Sequence, residues 1–145
     1  MCLRTVYELL HNPYSWLIWP GRRYHAYFGP DKNLHPTDEK EQDRLDIHHE
    51  IFLGLLDGEL HTAPLKRPHR VLDIGTGTGL WCVDFANTYP MAEIIGTDLS
   101  PIQPAWVPNN CKFEVDDAEQ EFTFRPASTA IQAHRESRLT CSLPG

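Results

Sequence analysis

Residues 70–79, Arg-Val-Leu-Asp-Ile-Gly-Thr-Gly-Thr-Gly, constrain the fold more than any other stretch of the chain. An aliphatic run with one acid, Asp73, leads into three glycines at alternate positions, Gly75, Gly77 and Gly79. A periodic segment from Leu80 to Tyr89 follows, and Pro90 ends it. Buried strand, glycine turn and helix start, in that order, open a βαβ unit. Glycine serves such a turn in two ways. It takes up positive φ, and without a Cβ it lets a ligand approach the backbone closely. The helix N-terminus behind the loop presents free N–H groups. The expected fold class is therefore α/β. A tight strand-to-helix turn that binds nothing is the alternative.

The spacing narrows the ligand. A Walker loop is excluded, because no Gly-Lys-Ser/Thr follows. The dinucleotide pattern G-x-G-x-x-G is missed by one position, since Leu80 stands where the third glycine belongs. What is present is G-x-G-x-G, led by an acid two residues before the first glycine. That pattern resembles motif I of class I methyltransferases, which bind S-adenosylmethionine (SAM). A second buried strand is expected at Glu93 to Thr97, ending at Asp98, roughly 20 residues past the loop. An acid at that place accepts hydrogen bonds from ribose hydroxyls in dinucleotide and SAM sites alike. Its two oxygens suit two adjacent hydroxyls.

The net charge of −7 disfavours non-specific binding to nucleic acid or to an anionic membrane. No apolar run approaches the length of a membrane-spanning helix. The apolar start breaks at His11-Asn12-Pro13, too early for a signal-peptide core. The four cysteines, Cys2, Cys82, Cys111 and Cys141, are scattered without a CxxC pair, which fits a reducing compartment. The expectation is an intracellular protein, cytoplasmic or nuclear. Lys66 to Arg70 is either a weak nuclear signal or a solvated loop before the strand.

Residues 1–37 read as an aromatic, loop-rich N-terminal extension. Val6, Leu9 and Leu10 fit a helical turn or two, and Ser15 to Pro20 is an apolar run that either docks on the fold or faces a partner. Gly21 to Pro36 reads as loop. Asp38 to Asp57 is expected to be an amphipathic helix, capped by Thr37 or Asp38, with Leu45, Phe52, Leu55 and Leu56 as its apolar stripe and Gly58 as its stop. His48-His49-Glu50 falls short of HExxH because position 53 is Leu53, so no metal is expected. Pro101, Pro104 and Pro108 forbid a long helix, though Ser100 can cap a single turn at Pro101. Lys112 to Val115 is a third strand candidate, with Asp116-Asp117 at its end. Residues 125–145 read as an unrelated, disordered tail.

Several segments in order carry a closer likeness. They are RRYHAY at 22–27, DEKEQDRLDIHH at 38–49, APLKRPHRVLDIGTGTGLW at 63–81, DFANTYPMAEIIGTDLSPIQP at 84–104 and WVPNNCKFEVDDAEQEFTF at 106–124. Together they resemble the fungal LaeA-like methyltransferases, a group of secondary-metabolism regulators and pathway enzymes. The resemblance implies a Rossmann-like class I methyltransferase fold, SAM as cofactor, and a methyl acceptor that is a small molecule or a protein. It implies that Gly75, Thr76, Gly77 and Gly79 pass under the methionyl and ribose parts of SAM, with Asp73 bracing the loop. It further implies that Asp98 holds the ribose, that Leu99 packs on the adenine, and that Asp117 accepts from the adenine amino group. No general base is assigned.

The family fold has seven strands, its third, second, first and fourth side by side in that order. A βαβ unit needs about 30 residues, so too little chain follows Val115 for the rest. The expectation is a C-terminally truncated member. Residues 38–124 would form a partial domain (helix 38–57, βαβ core 70–118) with only the N-terminal part of the sheet and an N-terminal helical extension. With the fourth strand absent, strand 70–74 would expose an open edge, favouring self-association, low stability and little turnover. A non-catalytic interaction fragment and a nicotinamide-binding module are the rival readings. Leu80 argues against the latter.

Overall fold

The computed structural model describes residues 16–18, 20–29, 32–120 and 130–133, the last four as backbone. Helical turns expected near Val6 to Leu10 lie outside the described residues, as do 125–129 and 134–145 of the expected tail.

Four parallel strands form the central sheet. They are β3 (Arg70–Ile74), β4 (Glu93–Asp98), β5 (Cys111–Val115) and β6 (Ala130–Ala133), in the order β5-β4-β3-β6. β3 lies in register with β4 through Val71↔Ile94 and Asp73↔Gly96, and β4 with β5 through Gly96↔Phe113. Both faces of β3 and β4 are buried, as parallel strands require. One face carries Val71 and Ile94, which pack with Trp81, Cys82, Phe85 and Ala86 of helix α2 (Leu80–Thr88). The other carries Leu72, Ile74 and Ile95. Asn110 fastens the far end of α2, its amide donating to the carbonyls of Ala86, Tyr89 and Ala92.

β6 corrects the expectation of an open edge. Ala130–Ala133 pairs in parallel with β3, through Leu72↔Ile131 and Ile74↔Ala133, on the side where no partner was expected. The strand order is that of the family's third, second, first and fourth strands. Ala-Ile-Gln-Ala has little β propensity and no alternation of its own, so it gave no signal. Residues 116–129 lie between β5 and β6, fewer than the roughly 30-residue unit on which the expectation of an open edge rested.

The N-terminal extension is also more ordered than a loop. β1 (Trp16–Ile18) and β2 (Arg23–His25) form an antiparallel pair, with Trp16 opposite His25 and Ile18 opposite Arg23. The pair is too short for an alternating apolar pattern to show. Ile18 is exposed, whereas His25 and Ala26 are buried.

Helix α1 (Glu39–Leu55) starts where expected. Asp38 is the N-cap, its carboxylate accepting the Glu41 N–H at 3.2 Å. Asp57, at φ 55°, takes the left-handed position after the helix, and the Gly58 N–H returns to the Leu53 carbonyl at 2.7 Å. This is a Schellman end with an aspartate in the usual glycine place. The expected apolar stripe is only partly covered. Leu45 and Leu56 are half-buried, whereas Phe52 is 49% exposed and Leu55 72%, and Ile51 beside them is exposed too. Polar links also fix the helix. Arg22 grips Asp38 with two bonds of 2.5 and 2.9 Å, and His49 Nε2 meets Asp84 Oδ2 of α2 at 2.8 Å. Ser100-Pro101 forms no helical turn; the Ile102 N–H reaches back to the Ser100 carbonyl at 3.0 Å.

Candidate functional site

The C-terminal ends of β3, β4 and β5 bring the sequence-derived residues to one rim of the sheet. Gly75, Gly77 and Gly79 have φ of 74°, 59° and 82°, a region that L side chains avoid. The loop is anchored to β4 by the Gly75 and Thr76 N–H groups, both donating to the Thr97 carbonyl at 2.8 and 2.9 Å. A Cβ on Gly75 would meet nothing within 4 Å, so the outer side of the loop is open there. Gly79 is tight for a different reason. A Cβ there would overlap the Phe113 ring, with Cε1 at 2.8 Å. Gly75 thus faces free space, while Gly79 lets β5 pack under the start of α2.

Asp73 is fully buried. It accepts from the Cys82 thiol at 3.3 Å, and its carbonyl accepts the Thr97 hydroxyl at 3.4 Å. The Cys111 side chain, burial and the Asp73 charge hold the Cys82 thiol above its ordinary pKa, consistent with a donating S–H. Thr76 is also buried, its hydroxyl 3.3 Å from the Cys82 sulfur and its carbonyl accepting the Gly79 N–H at 3.0 Å.

Asp98 ends β4 and turns onto the loop. Its Oδ2 accepts the Gly77 N–H at 2.8 Å and its Oδ1 the Ser100 N–H at 3.0 Å. Burial raises its pKa to about 6, against the lowering effect of those two N–H groups. Two carboxylate oxygens hold about four acceptor sites, so acceptor capacity remains for hydroxyls. Leu99 is half-buried and faces His25, Phe28, Gly29, Lys32 and Asn33 across a recess too narrow for a water molecule. Asp117, beyond β5, accepts from Lys32 Nζ at 3.0 Å and from the Glu119 N–H at 3.0 Å. Burial pushes its pKa up, but those donors outweigh it and hold the pKa below the usual carboxylate range.

Three contributors were not picked out as site residues from the sequence. Gln103 donates to the Gly77 carbonyl at 2.7 Å and to the Ser100 carbonyl at 2.9 Å, clamping the loop to the segment after β4. Asn33 donates to the Ser100 hydroxyl at 2.5 Å, and Lys32 reaches Asp117. The family-specific Asp98-to-Pro104 stretch was the available signal for Gln103. Nothing in spacing could signal Lys32 or Asn33, which join the rim only through the fold.

The donor set is compatible with a SAM-type methyl donor. The positive-φ loop is open at Gly75, and the Asp98 carboxylate is fixed to that loop with acceptor capacity to spare.

Comparison with known proteins agrees. A family profile described as a methyltransferase domain matches residues 47–136, a span that runs past Phe124 and takes in β6. Methyltransferase pytC of Aspergillus terreus is 47% identical over 107 residues, covering 72% of this chain and 33% of that protein. Secondary metabolism regulator laeA of Aspergillus flavus is 51% identical over 94 residues, 64% of this chain and 25% of that protein. Protein-methionine methyltransferase laeA of Emericella nidulans is 47% identical over 94 residues, with the same two coverages. The match thus spans about a third or less of the length of these relatives. A chain of the solved complex between the Haloferax volcanii Trm112 methyltransferase activator and a methyltransferase shares the fold, with TM-score 0.53 and 18% identity over 67% of this chain and 44% of that one. With its glycine loop, its strand-end acids and a profile match across most of its length, this chain belongs to the methyltransferase-domain family, alongside fungal LaeA-like proteins.

Proposed function

We propose that this chain forms the adenosine-binding side of a SAM-dependent methyltransferase linked to fungal secondary metabolism. The observation that carries the reading is the union of the open, positive-φ loop with Asp98, whose carboxylate is fixed 2.8 Å from the Gly77 nitrogen. When bound, SAM supplies an electrophilic sulfonium methyl for in-line displacement. The chain's own residues bind and orient. Gly75, with nothing within 4 Å of its Cβ position, admits the ligand to the backbone, while Leu45 of α1 stands 3.4 Å from the Gly77 Cβ position. Asp98 accepts from the ribose hydroxyls, Leu99 covers the adenine, and Asp117 accepts from its amino group. Gln103 and Asn33 hold the rim in place. Rate enhancement then comes from proximity and orientation.

The name of the Emericella nidulans relative supports a protein methionine as methyl acceptor, and a small molecule is the alternative acceptor. Free, buried Cys82 and Cys111 support an intracellular setting. Titration calorimetry with SAM and, separately, NAD tests the cofactor class. One-to-one SAM binding with no NAD binding is expected, and NAD binding without SAM binding refutes the assignment. Transfer of a radiolabelled methyl group to fungal extract tests turnover.

A further inference from the structure

Asp117 does not stand alone at the end of β5. Its side chain is only 5% exposed, and Lys32 reaches it from the N-terminal extension, Nζ to Oδ2 at 3.0 Å. The same ammonium meets Glu119 Oε2 at 2.8 Å. Lys32 also lines the recess that Leu99 and Phe28 share. Asn33, next in sequence, is tied to Ser100, two residues past Asp98. A donor from the N-terminal extension and an acceptor just past β5 thus lie side by side, and the donor also lines the recess beside Leu99.

We propose that Lys32 and Asp117 together read the Watson–Crick edge of adenine, Asp117 accepting from the 6-amino group and Lys32 donating to ring N1. This rests on the SAM-site reading above, from which Asp117 is taken; Lys32 is the added residue. Adenine sets a donor, the amino group, beside an acceptor, N1. A carboxylate only accepts and an ammonium only donates, so the ion pair is the complement of that edge. The ammonium has three donors. It can keep Glu119 as counter-ion and still serve N1. Hypoxanthine presents the reverse pattern, a carbonyl at C6 and an N–H at N1. It would set acceptor against acceptor at Asp117 and donor against donor at Lys32. Buried polar groups left unpaired in this way make a site reject a ligand strongly.

The test is titration calorimetry on the full chain with S-adenosylhomocysteine and its deaminated analogue, S-inosylhomocysteine. The wild-type chain is expected to favour the adenosyl ligand by about tenfold or more. Lys32→Met should weaken adenosyl binding about tenfold and bring the two ligands close in affinity. Lys32→Arg, which keeps a donor, should restore the preference. Equal wild-type affinity for the two ligands overturns the proposal, whatever the variants do. So does a folded Lys32→Met chain with unchanged affinity and preference, and in both cases the SAM site stands. Failure of the wild-type chain to bind S-adenosylhomocysteine instead removes the site reading, and the proposal with it.

Discussion

The Asp98 carboxylate accepts the Gly77 N–H at 2.8 Å, so the tip of β4 holds the middle of the β3 loop. One side chain therefore braces the loop and offers acceptors to a ligand. Its acceptor capacity for a ligand is largest in the ionised form.

That dependence sets a pH profile. Burial places the Asp98 pKa at about 6, above its ordinary 3.8. Affinity for S-adenosylhomocysteine should rise as pH increases through about 6 and then level off. Stability should move the other way. The folded chain keeps a proton that the unfolded chain releases, so this group's contribution falls as pH rises from 3.8 toward 6. Asp98→Asn should flatten both trends. Calorimetry and thermal melts at stepped pH check them.

Gly75 and Gly79 should fail differently. Gly79→Ala meets the Phe113 ring and forces alanine to φ 82°, so it should cost roughly 2–4 kcal/mol of stability. Gly75→Ala meets nothing and should cost only about 1–2 kcal/mol from its positive φ. Its methyl group instead occupies the open side of the loop and should impair ligand binding more than folding. Denaturant melts beside ligand titrations separate the two.

The exposed apolar residues of α1 should matter little to stability. Ile51→Ser and Leu55→Ser should each change it by about 0.5 kcal/mol or less. Phe85→Ala, which empties a fully buried position on α2, should cost about 3–5 kcal/mol. Chemical denaturation is the measurement. A large loss at Leu55 would mean that something covers that face.

How much could be read in advance differs by element. β3, α2, β4 and β5 were legible, because continuous aliphatic runs and glycine or proline boundaries mark buried parallel strands and their crossover. So was the rim, since Gly75, Gly77 and Asp98 hold fixed offsets along one βαβ unit. The Asp98–Gly77 bond was not, because spacing locates a carboxylate without saying that it turns onto its own loop. β6 was hidden because Ala-Ile-Gln-Ala becomes a strand only through its neighbour β3. The stripe on α1 misled for a related reason. Helical spacing of Phe52 and Leu55 shows which residues share a face, and packing decides whether that face is covered.

β6 supplies a further test. It occupies the β3 edge that would otherwise be open. Removing residues 126–145 should lower the melting temperature and produce concentration-dependent self-association, read by light scattering after size exclusion. A truncated chain as stable and monomeric as the full one would contradict the pairing.

The central claim is that the glycine loop and Asp98 form one SAM site. Titration of S-adenosylhomocysteine into the wild-type, Gly77→Val and Asp98→Ala chains tests it most directly. The account predicts one-to-one binding by the wild type, abolished by the valine and weakened by roughly 1–3 kcal/mol by the alanine. Wild-type binding that neither substitution alters would contradict it.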